Sequence, residues 1–264
     1  MPRKCRTFTA LTCGAVAATV AAVCAAGPAT PADGSGDEGD LAHESAQQVA
    51  GDALHALLGA KSLRLRTESS ADATKLDLTL DRAGNCAGNI SKGPLGLVDL
   101  IKRGKDVWLK PDAAFWKSQL PGDEGNTAAR TYRDRYLHGT TDDDFLKGLA
   151  TACDLTAFQK SVAPQPADPQ APPAPSVTLT KGRPTTQEGT RVLPVVKKTK
   201  DATQTVYVAI EGTHYPRKLT TEVDGETGTV LLSNYDQPVP SHTPDPAKTA
   251  DISVLEGGGG QQSV

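Results

Sequence analysis

Five cysteines carry the clearest chemical meaning in this chain of 264 residues, and their positions divide it. Cys5, Cys13 and Cys24 crowd the start, while Cys86 and Cys153 stand alone in the remainder. Cys24 sits in "VAAVCAAG", between an apolar run and the stretch "PATPADGSGDEGD". The chain opens on the basic "MPRKCR" and continues with an Ala-rich apolar segment, which together fit a secretory signal over residues 1–24. Two fates of Cys24 stay open: lipidation as a membrane tether, or removal with an ordinary signal. The residues before it are Ala21, Ala22 and Val23. A tether would be served by residues 25–40, because a Gly-, Asp-, Pro- and Ser-rich segment makes a flexible spacer. Two remaining cysteines in an exported chain are most simply one disulfide, Cys86 to Cys153. A metal pair lacks neighbouring ligands, and two buried free thiols are the plain alternative.

Other reactive patterns are sparse. The histidines, His43, His55, His138, His214 and His242, fall in no metalloprotease spacing, and no nucleophile elbow or phosphate loop occurs. The triple Asp142-Asp143-Asp144 has the form of a cation site, but equally of negative charge at a helix start. No catalytic residue, cofactor or metal is therefore expected. The net charge is −3. Loss of Arg3, Lys4 and Arg6 with the signal reduces 28 basic residues to 25, against 31 acidic ones. That balance argues against a nucleic-acid partner and against a polybasic grip on anionic lipid.

The elements that must hold these residues can be read from periodicity. "LAHESAQQVAGDALHALLGA" has helical spacing and Gly59 to end it. Strict alternation follows in "SLRLRTES" and "KLDLTLDRAGN", then a strand through Cys86 and Ile90 and a hairpin about Arg103-Gly104, giving about five antiparallel strands. From Pro111 to Val162 the segments "DAAFWKSQL", "NTAARTYRDRYLHG" and "TTDDDFLKGLATACDLTAFQKSV" favour helix, with Thr141 and Asp144 as a capping box. Trp108 and Trp116 flank the step from sheet to helices, either at a cavity mouth or as core anchors. Residues 163–176 are a Pro-rich crossing. About five more strands follow, with turns at Gly212 and Asp224-Gly225, and residues 241–264 read as a flexible tail. Neither β half alone makes a balanced domain. Together they predict an α+β fold: one large curved antiparallel sheet of about ten strands with helices on its concave face.

The stretch "TVYVAIEGTHYPRKLTTEVDGETGTVLLSNYDQPV" resembles the end of the LppX/LprG lipoproteins of mycobacteria, in the wider LolA-like group of envelope lipid carriers. The matching features are the strand Val206–Ile210, the Glu211-Gly212 turn, the strand Arg217–Val223, the Gly225–Gly228 turn and the "SNYDQPV" ending at Val239. "CAGNIS" and "VWLKPDAAFWK" resemble similar actinobacterial lipoproteins. The likeness extends loosely over a domain 41–240 with a helical insert at 111–162. It implies a half-open β-barrel in the cell envelope, on the outer face of the membrane if Cys24 is lipidated and extracellular otherwise. It also implies a non-enzymatic protein whose partner is an acyl lipid or lipoglycan. Leu76, Leu78, Leu80, Val206, Val208 and Ile210 each alternate with polar or small neighbours and would line the cavity. The alternative is an envelope interaction module with the same sheet and a solid core.

Overall fold

The computed structural model describes residues 40–163 and 177–255. The expected signal, nearly all of the spacer and the Pro-rich crossing, and the Gly-rich end from 256 onward lie outside these residues. A short helix α1 (Asp40–His43) leads into α2 (Ala46–Gly59). Ser45 and Gln48 close the start of α2 as a capping box: the Gln48 amide donates to Ser45 Oγ at 3.2 Å and the Ser45 amide to Gln48 Oε1 at 2.9 Å.

The first β half is a meander of β1 (Ser62–Ser69), β2 (Thr74–Asp81), β3 (Cys86–Lys92), β4 (Leu97–Arg103) and β5 (Asp106–Pro111). The insert then holds α3 (Ala113–Gln119), α4 (Gly122–Thr131), β6 (Tyr136–Thr140), α5 (Asp144–Ala150), a single 3-10 turn (Thr151–Cys153) and α6 (Leu155–Val162). The second half comprises β7 (Thr178–Lys181), β8 (Thr185–Gln187), β9 (Thr190–Lys198), β10 (Ala202–Ala209), β11 (Pro216–Val223) and β12 (Glu226–Ser233), and β13 (Thr249–Asp251) follows near the end.

All thirteen strands belong to one unclosed sheet, in the order β13-β6-β5-β4-β3-β2-β1-β12-β11-β10-β9-β7, with β8 also on β9. The seam between the halves is the antiparallel pair β1–β12, registered from Arg64 opposite Ser233 to Ser69 opposite Gly228. The ten expected strands are present. The β11–β12 hairpin turns through Asp224 and Gly225, whose φ values of 53° and 81° are those of a two-residue turn matched to strand twist.

Three differences from the sequence expectation follow from short or ambiguous patterns. "YLHG" lies not in a helix but in β6, which pairs with β5 and puts Leu137 in the core. Five residues are too few to show period two when helical sequence precedes them. Residues 241–255, expected in a tail, instead carry β13 in parallel with β6 and bury Ile252. Gly139 makes that docking possible, since a Cβ there would lie 2.6 Å from Ile252 Cγ2 and 2.7 Å from Leu146 Cδ1. Finally, Asp143 rather than Thr141 stands at the N-cap position of α5, and neither a Thr141–Asp144 box nor an Asp143 side-chain bond closes the helix start. The Asp143 carboxylate accepts from the Thr140 amide at 2.6 Å, and Asp142 pairs with Lys105 at 3.3 Å.

Candidate binding site

Alternation sends one side of the sheet toward the helices. Leu78 and Leu80 on β2 are fully buried there with Leu63 and Leu65 of β1, and Leu76 packs at their margin. This large cluster also takes Phe115, Trp116, Leu146 and Leu155 from the helical insert and Leu57 from α2. Val208 and Ile210 belong to a second, smaller cluster with Leu41, Val49, Ala53, Leu193 and Val195, and Val206 packs at its edge. The two trios therefore face the same side of the sheet under different covers. The insert covers the first, and α2 covers the second while reaching the first with Leu57.

Gln159 of α6 ties the covers together. Its buried amide donates to the Leu57 and Ala60 carbonyls at 2.8 and 2.9 Å, satisfying acceptors that the end of α2 leaves open. Cys86 on β3 and Cys153 ahead of α6 are joined in a disulfide with their Cα atoms 5.4 Å apart, fastening the insert to the sheet.

Between the clusters the packing thins. Cross-strand register places Leu76 (β2) opposite Thr67 (β1), Thr67 opposite Val230 (β12), Val230 opposite Leu219 (β11), and Leu219 opposite Val206 (β10). All five are only half-buried, so a strip of partly exposed apolar side chains crosses five strands on the helix-bearing face. The Thr67 hydroxyl within it accepts from the Leu76 amide at 3.1 Å, so the one polar group in the strip is engaged.

Two open clefts occur elsewhere. One, of about 370 Å³, is lined by Arg82, Lys102, Lys147, Cys153 and Asp154 among others. Lys102 there donates to the Gly84 carbonyl at 2.7 Å, and burial lowers the pKa of its ammonium. The other, of about 520 Å³, lies where β4 and β5 meet α3 and α4. Neither is lined by any of the six residues expected to line a cavity. Those residues instead pack against protein, four of the six fully. Among the described residues no group of three His, Cys, Asp or Glu is arranged to hold a metal, and no helix is long and apolar enough to cross a membrane. His138 pairs with Asp106 at 2.9 Å and lies 4.9 Å from Trp108, while Trp116 is buried against Tyr132. Trp116 is thus a core anchor.

The "SNYDQPV" motif proves to be a clasp. Asn234 and Asp236 take left-handed backbone conformations, with φ of 49° and 57°. The resulting turn stacks Tyr235 on Tyr215 at 3.9 Å and presents the Asp236 carboxylate to the Lys61 amide at 2.7 Å and the Tyr215 hydroxyl at 2.5 Å. Asn and Asp tolerate such backbone better than other residues, which is the signal the sequence held. Burial and the hydrogen bond to Asp236 push the Tyr215 pKa up to about 12. A tyrosine whose folded pKa is raised contributes stability that is complete below its unfolded value near 10 and is lost as pH rises through about 12. The Tyr215→Phe variant should lose about 1 kcal/mol at neutral pH, and part of the parent's alkaline destabilisation should vanish in chemical unfolding at graded pH. The same pH dependence in parent and variant would reject this role.

No family model and no curated protein matches the chain. Among solved structures it is similar to lipoprotein LppX from Mycobacterium tuberculosis, at 12% identity and a TM-score of 0.45, over 77% of this chain and 100% of that one. It is also similar to LprF from Mycobacterium bovis, at 12% identity and a TM-score of 0.49, over 75% of this chain and 96% of that one. These likenesses are in fold alone.

Proposed function

We propose that this protein is an exported, non-enzymatic envelope protein that binds an acyl lipid on the helix-bearing face of its sheet. The strip Leu76–Thr67–Val230–Leu219–Val206 carries this reading, because it offers apolar surface that the protein's own helices leave partly exposed. The chain lies along the seam between the insert and α2. Cys24, outside the described residues, is the proposed anchor to the membrane.

Uptake of a fluorescent fatty acid tests the binding. Leu219→Gln puts a polar amide into the middle of the strip at a half-buried position, so the expected result is at least a fivefold loss of uptake with little change in melting temperature. Uptake that survives the substitution intact would remove the strip from the binding surface. Cys24→Ser should move the protein from the membrane fraction to the medium, since a net negative surface gives little attraction to anionic lipid. An unchanged distribution would instead point to plain secretion.

A second reading has its own observation. Leu78, Leu80, Val208 and Ile210 are buried against protein. A parent protein that takes up no lipid would therefore be an interaction module with a filled core.

A further inference from the structure

The larger cleft has a chemistry that the apolar strip does not share. Its walls come from strand and helix ends held close together. Gly125 of α4 lies so near α3 that a Cβ there would be 2.9 Å from Lys117 Cα and 2.8 Å from the Leu120 carbonyl oxygen. This contact sets α4 over the ends of β4 and β5. Asn126, Ala129 and Arg130 share one face of α4, Arg133 follows just past its end, and all four line the cleft. Lys117 of α3 and Lys110 of β5 line the other side, and Leu97, Pro111 and Ala113 add an apolar part to the lining.

Four cations and three carboxylates line this space in a chain whose net charge is −3. The carboxylates are unequal. Asp99 is held by Lys110 at 3.0 Å, and Asp112 caps α3 by accepting from the Phe115 amide at 2.7 Å. Asp134 approaches Arg133 only at 3.8 Å, with side chains 89% and 82% exposed, a geometry that neutralises little. Arg130 donates to the neutral Thr127 hydroxyl at 3.2 Å. Lys117 has no ion pair among the described residues. Lys117 and Arg130 thus bring two cationic heads to the cleft with no ion pair among the described residues, and Arg133 adds a third whose only ion pair is the long, exposed contact with Asp134.

The geometry points to a binding site for a phosphate group in the cleft between α3, α4 and the ends of β4 and β5, gripped by Lys117, Arg130 and Arg133. Several oxygens and more than one negative charge suit a phosphate to a mixed set of Arg and Lys better than a single carboxylate, because guanidinium forks bind two oxygens while an ammonium adds a point charge. The phosphate is either free or carried on a lipid headgroup, and both present the same oxygens. This site does not rest on the acyl-lipid reading, since its lining and that of the apolar strip share no residue.

Calorimetric titration of the full chain with inorganic phosphate at low ionic strength, and co-sedimentation with phosphatidylglycerol or phosphatidylcholine vesicles, test it. Each is run on the parent, on Lys117→Gln/Arg130→Gln, and on Lys75→Gln, whose side chain lies outside the cleft and pairs with Glu68. Binding of inorganic phosphate that weakens at least tenfold in the double variant, but not in Lys75→Gln, supports a free phosphate ligand. Sedimentation with phosphatidylglycerol alone, abolished in the same variant, supports a lipid headgroup. Melting temperatures of all three proteins should agree, because all three altered side chains are exposed. Absence of both kinds of binding, or binding that the double variant keeps, overturns the proposal. The fatty-acid uptake test is read separately, so either site can fail while the other stands.

Discussion

Removing the disulfide by Cys86→Ala/Cys153→Ala should lower stability by about 4 kcal/mol as an upper guide. The bond closes a loop of 67 residues, and the chain-entropy cost of opening such a loop in the unfolded state gives that size. Alanine is the better replacement than serine, because both sulfurs are buried and a serine hydroxyl would add an unpaired polar group. For a domain of this length the loss corresponds to a drop of roughly 10 °C in melting temperature. The consequence should be local first. Cys153 precedes α6, and α6 holds the end of α2 through Gln159, so the covers over both apolar clusters hang on this link. Hydrogen exchange in α6 and at the end of α2 should rise in the variant before exchange in β1 and β2. Two reactive thiols in the unreduced, denatured parent would overturn the bond itself. A stability loss below about 1 kcal/mol would instead show that the bond constrains little.

The two cysteines were legible in sequence because export narrows what an isolated pair can be. The strands were legible where alternation ran long, as in β1 and β2, and where Asp224-Gly225 marked a turn. The alternation of Leu76, Leu78 and Leu80 fixed which side of β2 turns inward, but it carried no information about what lies above. A helix and an acyl chain satisfy a buried leucine equally. That is why periodicity alone leads to the six residues being expected around a cavity, whereas in the structure Leu78 and Val208 pack against protein. The partly exposed strip was illegible for a related reason. It depends on the register of β1 against β12, which joins residues 169 positions apart where Arg64 stands opposite Ser233. The basic cleft was missed because Lys117, Arg130 and Arg133 read separately as exposed helical charges, and only the close approach at Gly125 brings the two helices together.

Trp116 should be among the most costly side chains to truncate. It is 1% exposed and stands where α3 meets both the core and α4, with Tyr132 stacked at 5.4 Å and Phe115 edge-on at 6.1 Å. Trp116→Ala should cost about 3–5 kcal/mol, since a space the size of an indole is too large for its neighbours to close. Its indole N–H finds no acceptor among the described residues, and a buried unpaired donor is a cost the folded state already carries. Trp116→Phe removes that donor while keeping a ring for Tyr132, so its loss should be well below that of the alanine variant. The pair of variants separates packing from hydrogen bonding, which a single truncation does not. Chemical unfolding of both, with a probe other than tryptophan fluorescence, gives the comparison. If Phe proved as costly as Ala, the N–H would have to be making a bond that stabilises the fold. If Ala cost less than about 1 kcal/mol, Trp116 would not be the anchor between sheet and insert. In that case the cleft beside it would rest on Gly125 and the α3–α4 contact alone.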